Sequence, residues 1–115
     1  PLAQNNEKLL SKNCVKRLSE SSVKSDIDNM LLFPTNFSEG FMLHMDNKGK
    51  FEGEGGSFMI GPNAFGHVGF GGSSATFADT DCKMSFGYLV NKLGGEYLIN
   101  DRGQSLINAS YNSLK

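Results

Sequence analysis

Residues Phe65-Gly66-His67-Val68-Gly69-Phe70-Gly71-Gly72-Ser73 constrain this chain more than any other stretch, with four glycines in nine residues and hydrophobic flanks. The run fits a strand lying along a cleft, with His67 and the following backbone N–H groups facing a ligand. Glycine at 69, 71 and 72 removes the Cβ atoms that would hold a substrate away from that backbone.

The rest of the chain supplies a small α+β frame. Ser11 reads as the N-cap of a short helix from Lys12 to Ser19, with Val15 and Leu18 on one face. Ser19 to Asn29 is polar and reads as loop, and Pro34 stops any helix started by Met30-Leu31-Leu32-Phe33. Phe37 to Met45 is the first strand expected, with Phe41 and Leu43 on one face. Asp46 to Lys50 carries turn chemistry, and Phe51 to Asn63, with Gly53, Gly55, Gly56 and Gly61, reads as a mobile connection. Strands follow at Gly66–Phe70, Ser74–Asp79 and Met84–Asn91, joined by short turns and therefore antiparallel. Leu93-Gly94-Gly95 ends the sheet. From about Asn100 to Leu114 the pattern turns helical, with Leu106, Ile107, Ser110, Tyr111 and Leu114 on one face and Asp101 near the positive end of the helix dipole. The sum is an antiparallel sheet of about four strands, with a C-terminal helix packed on it and a short N-terminal helix.

Several blocks of this chain, in order, resemble the serine β-lactamase-related family of class C β-lactamases, D-alanyl-D-alanine peptidases, esterases and animal β-lactamase-like proteins. They are Pro34-Thr35-Asn36-Phe37-Ser38-Glu39-Gly40-Phe41-Met42-Leu43, the histidine run with Ser73-Ser74-Ala75-Thr76-Phe77-Ala78-Asp79, Met84-Ser85-Phe86-Gly87-Tyr88-Leu89-Val90-Asn91-Lys92, and Arg102-Gly103-Gln104-Ser105-Leu106-Ile107-Asn108-Ala109. The likeness spans about Leu9 to Leu114 and implies the C-terminal part of a β-lactamase/transpeptidase-like fold. His67-Val68-Gly69 matches the family's Lys-Thr-Gly element, in which some branches carry histidine for lysine. The resemblance implies a catalytic strand made of His67, Gly69 and Phe70. His67 would face the cleft and place the acyl or carboxylate group, and the Phe70 N–H would be one of two oxyanion-hole donors. Gly71 and Gly72 would line the substrate. The implied substrate is an acyl ester, amide or peptide, and no cofactor or metal is implied. Val68 stands where the lactamases carry threonine, which leans the substrate towards an ester or other acyl compound.

The family's nucleophile lies in a Ser-x-x-Lys motif at the start of a buried helix, because a serine hydroxyl needs an adjacent base. Ser21-Ser22-Val23-Lys24 fits the pattern but sits in a polar stretch close to His67, and reads as a solvated helix end or loop. Tyr111-Asn112 lacks the spacing of the family's Tyr-x-Asn and reads as packing plus surface. The expectation is therefore that residues 1–115 are the C-terminal portion of a larger acyl hydrolase, with the nucleophile on upstream sequence. The alternative is a non-catalytic scaffold or interaction module on the same fold, which predicts an obligate partner or a homo-oligomer through exposed strand edges.

Composition narrows the partners. Eleven basic and twelve acidic residues give a formal charge of −1, with no run of either sign, which argues against a nucleic-acid or anionic-membrane surface. No apolar stretch approaches the roughly 20 residues that span a bilayer. Cys14 and Cys82 have no metal-ligand spacing and read as free, buried or half-buried thiols, with a disulfide between them left open. His44 lacks a second ligand at metal spacing. Gly53-Glu54-Gly55-Gly56 lacks the Gly-Lys-Ser/Thr of a phosphate loop.

Overall fold

The computed structural model describes residues 9–49 and 56–115. Helix α1 covers Lys12–Ser19, with the Ser11 hydroxyl accepting from the Cys14 N–H at 3.2 Å. Its one buried side chain, Val15, joins Leu43 and Phe65 in a small cluster that Leu18, Phe41 and Ala78 complete. The Phe41 ring meets Phe65 edge-on at 5.4 Å.

Strands β1 (Val23–Ser25) and β2 (Thr35–Phe37) form an antiparallel ribbon. Strand β1 lies within the stretch expected to be loop, because non-local pairing with β2 outweighs its polar composition. The turn between them is organised by Asp28, whose carboxylate accepts from the Met30 and Leu31 N–H groups at 2.9 and 2.8 Å. Those donors hold its pKa below the usual aspartate value. The strand expected over Phe37–Met45 does not form. Gly40 takes a φ of +108° and the Ser38 N–H bonds back to the Phe41 carbonyl, so the chain reverses there. Beyond that reversal, only isolated bridges at Met42 and Met45 remain.

The central sheet is β3 (Ala64–Val68), β4 (Ser74–Asp79) and β5 (Met84–Leu89), antiparallel in that order. Strand β3 starts and ends two residues earlier than expected, which puts Phe70 in a 3-10 turn over Phe70–Gly72. The sheet ends at Leu89 rather than Asn91.

Helix α2 (Asp101–Asn112) is capped by the Asn100 side chain, which accepts from the Gly103 N–H at 3.0 Å. It buries Gly103, Gln104 and Ile107, while Leu106 and Leu114 of the expected face stay exposed. Two contacts set this rotation. A Cβ at Gly103 would come within 2.6 Å of Ile99 Cγ1, so the helix approaches the Ile99 segment closely only at a glycine. Gln104 is buried because its amide is satisfied by the Met59 backbone, accepting from the N–H at 3.1 Å and donating to the carbonyl at 2.8 Å. Residues 56–63 are thus no mobile connection. Phe58 is fully buried and bridges Met45, and the Gly61 N–H donates to Tyr111 Oη at 2.8 Å. The Phe51 to Gly55 part of that expectation, with most of the Gly53-Glu54-Gly55-Gly56 stretch, lies outside the described residues.

Below the sheet, Phe77 stacks on both Phe86 and Tyr111, with ring centroids 5.2 and 5.7 Å apart. The Tyr111 hydroxyl donates to Asp79 Oδ2 at 2.7 Å, and the Asp81 N–H caps Oδ1 at 2.9 Å. Burial, and then the bond to Asp79, push the Tyr111 hydroxyl above the ordinary tyrosine range.

Candidate functional site

Alternation along β3 divides its residues between two environments. Ala64, Gly66 and Val68 face the core over α2, whereas Phe65 and His67 face the other way. Phe65 is covered by the α1 cluster, and His67, farther along the strand, is exposed. Across the sheet His67 pairs with Thr76, and Thr76 pairs with Gly87. Both are exposed, and a Cβ at Gly87 would meet nothing within 4 Å. This half of the face is an open shelf carrying the His67 imidazole and the Thr76 hydroxyl, with Ser74 and the exposed Leu89 on the same side.

His67 Nδ1 lies 3.1 Å from the Val68 carbonyl oxygen. A carbonyl can only accept, so Nδ1 is the donor in this contact, and in the neutral form of the ring Nε2 carries the lone pair. In that form Nε2 is the atom able to take a hydrogen bond or a proton from a group above the shelf. Val68 is buried in the core, so its difference from threonine changes packing rather than the open face. Thr76, which sequence reasoning gave no role, supplies the exposed hydroxyl beside His67.

After β3 the backbone tightens. A Cβ at Gly69 would press on the Ser73 and Ser74 hydroxyls, which would have to turn aside, while the backbone itself is extended at φ −90° and ψ 150°. The Phe70 N–H makes no hydrogen bond among the described residues. Gly71 and Gly72 have φ of +69° and +61°, which L side chains rarely adopt. Both are buried, and their N–H groups donate to the Glu96 and Leu98 carbonyls at 2.8 and 2.9 Å. They shape the turn, and their donors are already engaged.

The segment from Lys92 to Asn100 packs on this turn. The Gly94 N–H returns to the Gly71 carbonyl at 2.7 Å, and the Phe70 ring meets Tyr97 edge-on at 5.8 Å. Glu96 Oε2 is buried without a hydrogen-bond partner among the described residues. Glu96 and Tyr97 carried no sequence signal, since what matters is a contact across more than twenty residues of chain.

Other sequence candidates fall elsewhere. Ser21 Oγ donates to Asn36 Oδ1 at 2.6 Å, and Val23 and Lys24 lie in β1, so the Ser-x-x-Lys match is built into the ribbon rather than a helix start. His44 Nδ1 contacts the Ile60 carbonyl at 2.6 Å. Cys14 and Cys82 are free and exposed, not buried. Desolvation and the nearby Asp79 push the Cys82 thiol up, opposite to what an activated cysteine needs. Among the described residues no group of three His, Cys, Asp or Glu side chains could hold a metal ion, and no helix is long and apolar enough to cross a membrane.

With this geometry in place, comparison with solved structures finds a penicillin-binding protein homolog from Caulobacter crescentus, with a TM-score of 0.75 and 28% identity over 97% of this chain. A family VIII carboxylesterase matches with a TM-score of 0.77 and 25% identity over 96% of the chain. The chain carries part of a serine β-lactamase-like fold. It spans only 29% and 28% of those two chains. No protein-family model matches the sequence, and no curated protein does. The matches support an origin in a serine hydrolase-like family.

Proposed function

We propose that this chain is the C-terminal portion of a serine acyl hydrolase and supplies one wall of its active site. The observation that carries this reading is an exposed His67 on β3 followed, in the turn just past the strand, by a Phe70 N–H that is unengaged among the described residues. In acyl transfer, negative charge collects on the carbonyl oxygen as the tetrahedral intermediate forms. A backbone donor fixed by a sheet and a hydrogen-bonded turn meets that charge without reorganising, and loss of one such donor typically costs ~2.7–4 kcal/mol. In this reading His67 positions the acyl group or moves a proton at Nε2, Gly69 leaves the strand's end without a side chain beside the substrate, and Gly71 and Gly72 hold Phe70 in place. The substrate is an acyl ester, amide or peptide. The nucleophile lies on sequence outside these residues.

The test is turnover of 4-nitrophenyl butyrate by the full-length protein expressed in its native host, wild type against His67→Ala, with circular dichroism to check the fold. A fall of about 10²-fold or more with the fold retained is expected. Unchanged turnover removes the role given to His67.

A second reading, a non-catalytic interaction module, is favoured by the apolar residues exposed on and between β1 and β2: Val23, Ile27, Met30 and Leu32. It predicts concentration-dependent association in sedimentation velocity. An inert monomer over a wide dilution range counts against it.

A further inference from the structure

We infer that Asn100 is a positioning residue for the Phe70 N–H, holding the turn that carries this donor as well as capping α2. The inference rests on the hydrolase reading above and adds to it the side chain that fixes the donor. Asn100 is buried, and the two ends of its amide meet different partners. Oδ1 accepts from the Gly103 N–H at 3.0 Å, which any good capping oxygen could do. Nδ2 lies in a slot between two glycines. A Cβ at Gly72 would come within 2.5 Å of Nδ2, and one at Gly94 within 3.1 Å. These glycines belong to the two layers that clamp the turn. The Gly71 N–H donates to the Glu96 carbonyl, the Gly72 N–H to the Leu98 carbonyl, and the Gly94 N–H to the Gly71 carbonyl. The amide therefore packs against both layers of the clamp that sets the direction of the Phe70 N–H.

A neighbouring charge gives the reason for an amide here. Glu96 Oε2 crowds the same position beside Gly94, and is buried without a hydrogen-bond partner among the described residues. An aspartate would cap α2 as well as asparagine does, and would suit the positive end of the helix dipole better. In the slot it would set a second carboxylate against Glu96 away from water, where like charges repel more strongly. Lys92 and Arg102 line the cavity beside these residues, but Arg102 donates to the Lys92 carbonyl at 3.2 Å. Among the described residues neither cation is ion-paired with Glu96. Capping alone makes Asn and Asp equivalent at this position, and the turn tells them apart.

The experiment compares Asn100→Asp, Glu96→Gln and the double variant of this chain by NMR amide hydrogen exchange. In Asn100→Asp the Gly71 and Gly72 amides are expected to exchange about tenfold faster and the Phe70 amide resonance to move, while Gln104 and Ile107 in α2 exchange as in wild type. Adding Glu96→Gln should restore the protection of Gly71 and Gly72, because the repelling pair is gone. No acceleration at those two glycines, equal acceleration in α2, or no rescue by Glu96→Gln overturns the positioning role and leaves Asn100 a cap. Turnover of 4-nitrophenyl butyrate by the full-length protein is the separate arm. Asn100→Asp should lower kcat about tenfold with KM within about twofold of wild type, and the double variant should recover it. If the turn responds and is rescued while kcat stays unchanged, the hydrolase reading loses Phe70 as its oxyanion donor, and the hold of Asn100 on the turn stands.

Discussion

The two faces of the β3–β4–β5 sheet share their strands and register but differ in what covers them. One face is closed by α2, with Phe77, Phe86 and Tyr111 stacked and Ile107 fully buried against them. The other is closed only at the Phe65 end, by α1, and is left open where His67, Thr76 and Gly87 lie. The difference shows how a small sheet serves two purposes. The closed face provides the stability, which leaves the open face free to carry groups that contribute little to folding. A histidine and a threonine in water cost nothing to keep, and their backbone is held by the packing on the reverse side.

That contrast can be broken by substitution. Phe77→Ala removes the centre of the closed face and should cost ~3–5 kcal/mol in urea unfolding. A loss below about 1 kcal/mol would mean that the stacked rings are not the core. Tyr111→Phe comes next, at ~1–3 kcal/mol, because buried Asp79 loses a donor it cannot replace. The same variant tests a pH effect. The folded-state pKa of Tyr111 is raised, so its contribution is fully present below the unfolded value of about 10 and is lost as pH rises beyond it. Wild type should therefore lose stability above about pH 10, and Tyr111→Phe should show a shallower loss in thermal melts over that range.

Gly72→Ala probes the link between the two faces. Its left-handed backbone and the close Asn100 side chain predict a cost of ~1–3 kcal/mol. It should also shift the Phe70 and Tyr97 amide resonances, which a change confined to the closed face would leave in place. The smallest effect belongs to His67→Ala, within about 0.5 kcal/mol of wild type, since the ring is exposed and bonds only to the neighbouring Val68 carbonyl. A larger loss would show the open face to be part of the fold's support.

Local signals in the sequence reached the structure where a short segment settles its own conformation. Ser11 capped α1 at the expected residue, and β4 occupies Ser74–Asp79 as its alternation requires. The histidine strand was legible for the same reason, because apolar flanks and glycines act over a few residues. Long-range contacts set the rest. Strand β1 exists because β2 pairs with it, and residues 56–60 are ordered because Phe58 fills the core and Gln104 bonds to Met59. The face of α2 was misjudged because hydrophobicity favours Leu106 and Leu114, whereas close approach at Gly103 and a satisfied Gln104 decide the rotation.

By itself the sequence determined an α+β chain with an antiparallel sheet, a terminal helix, and a glycine-rich strand carrying His67. Only the tertiary structure decided which side of that strand is open, that Val68 belongs to the core, and that Gly71 and Gly72 spend their N–H groups on the Glu96–Leu98 segment. It also brought Tyr97 to Phe70. The physical reason is that a strand's period fixes which residues share a face, but what covers that face depends on elements distant in the chain.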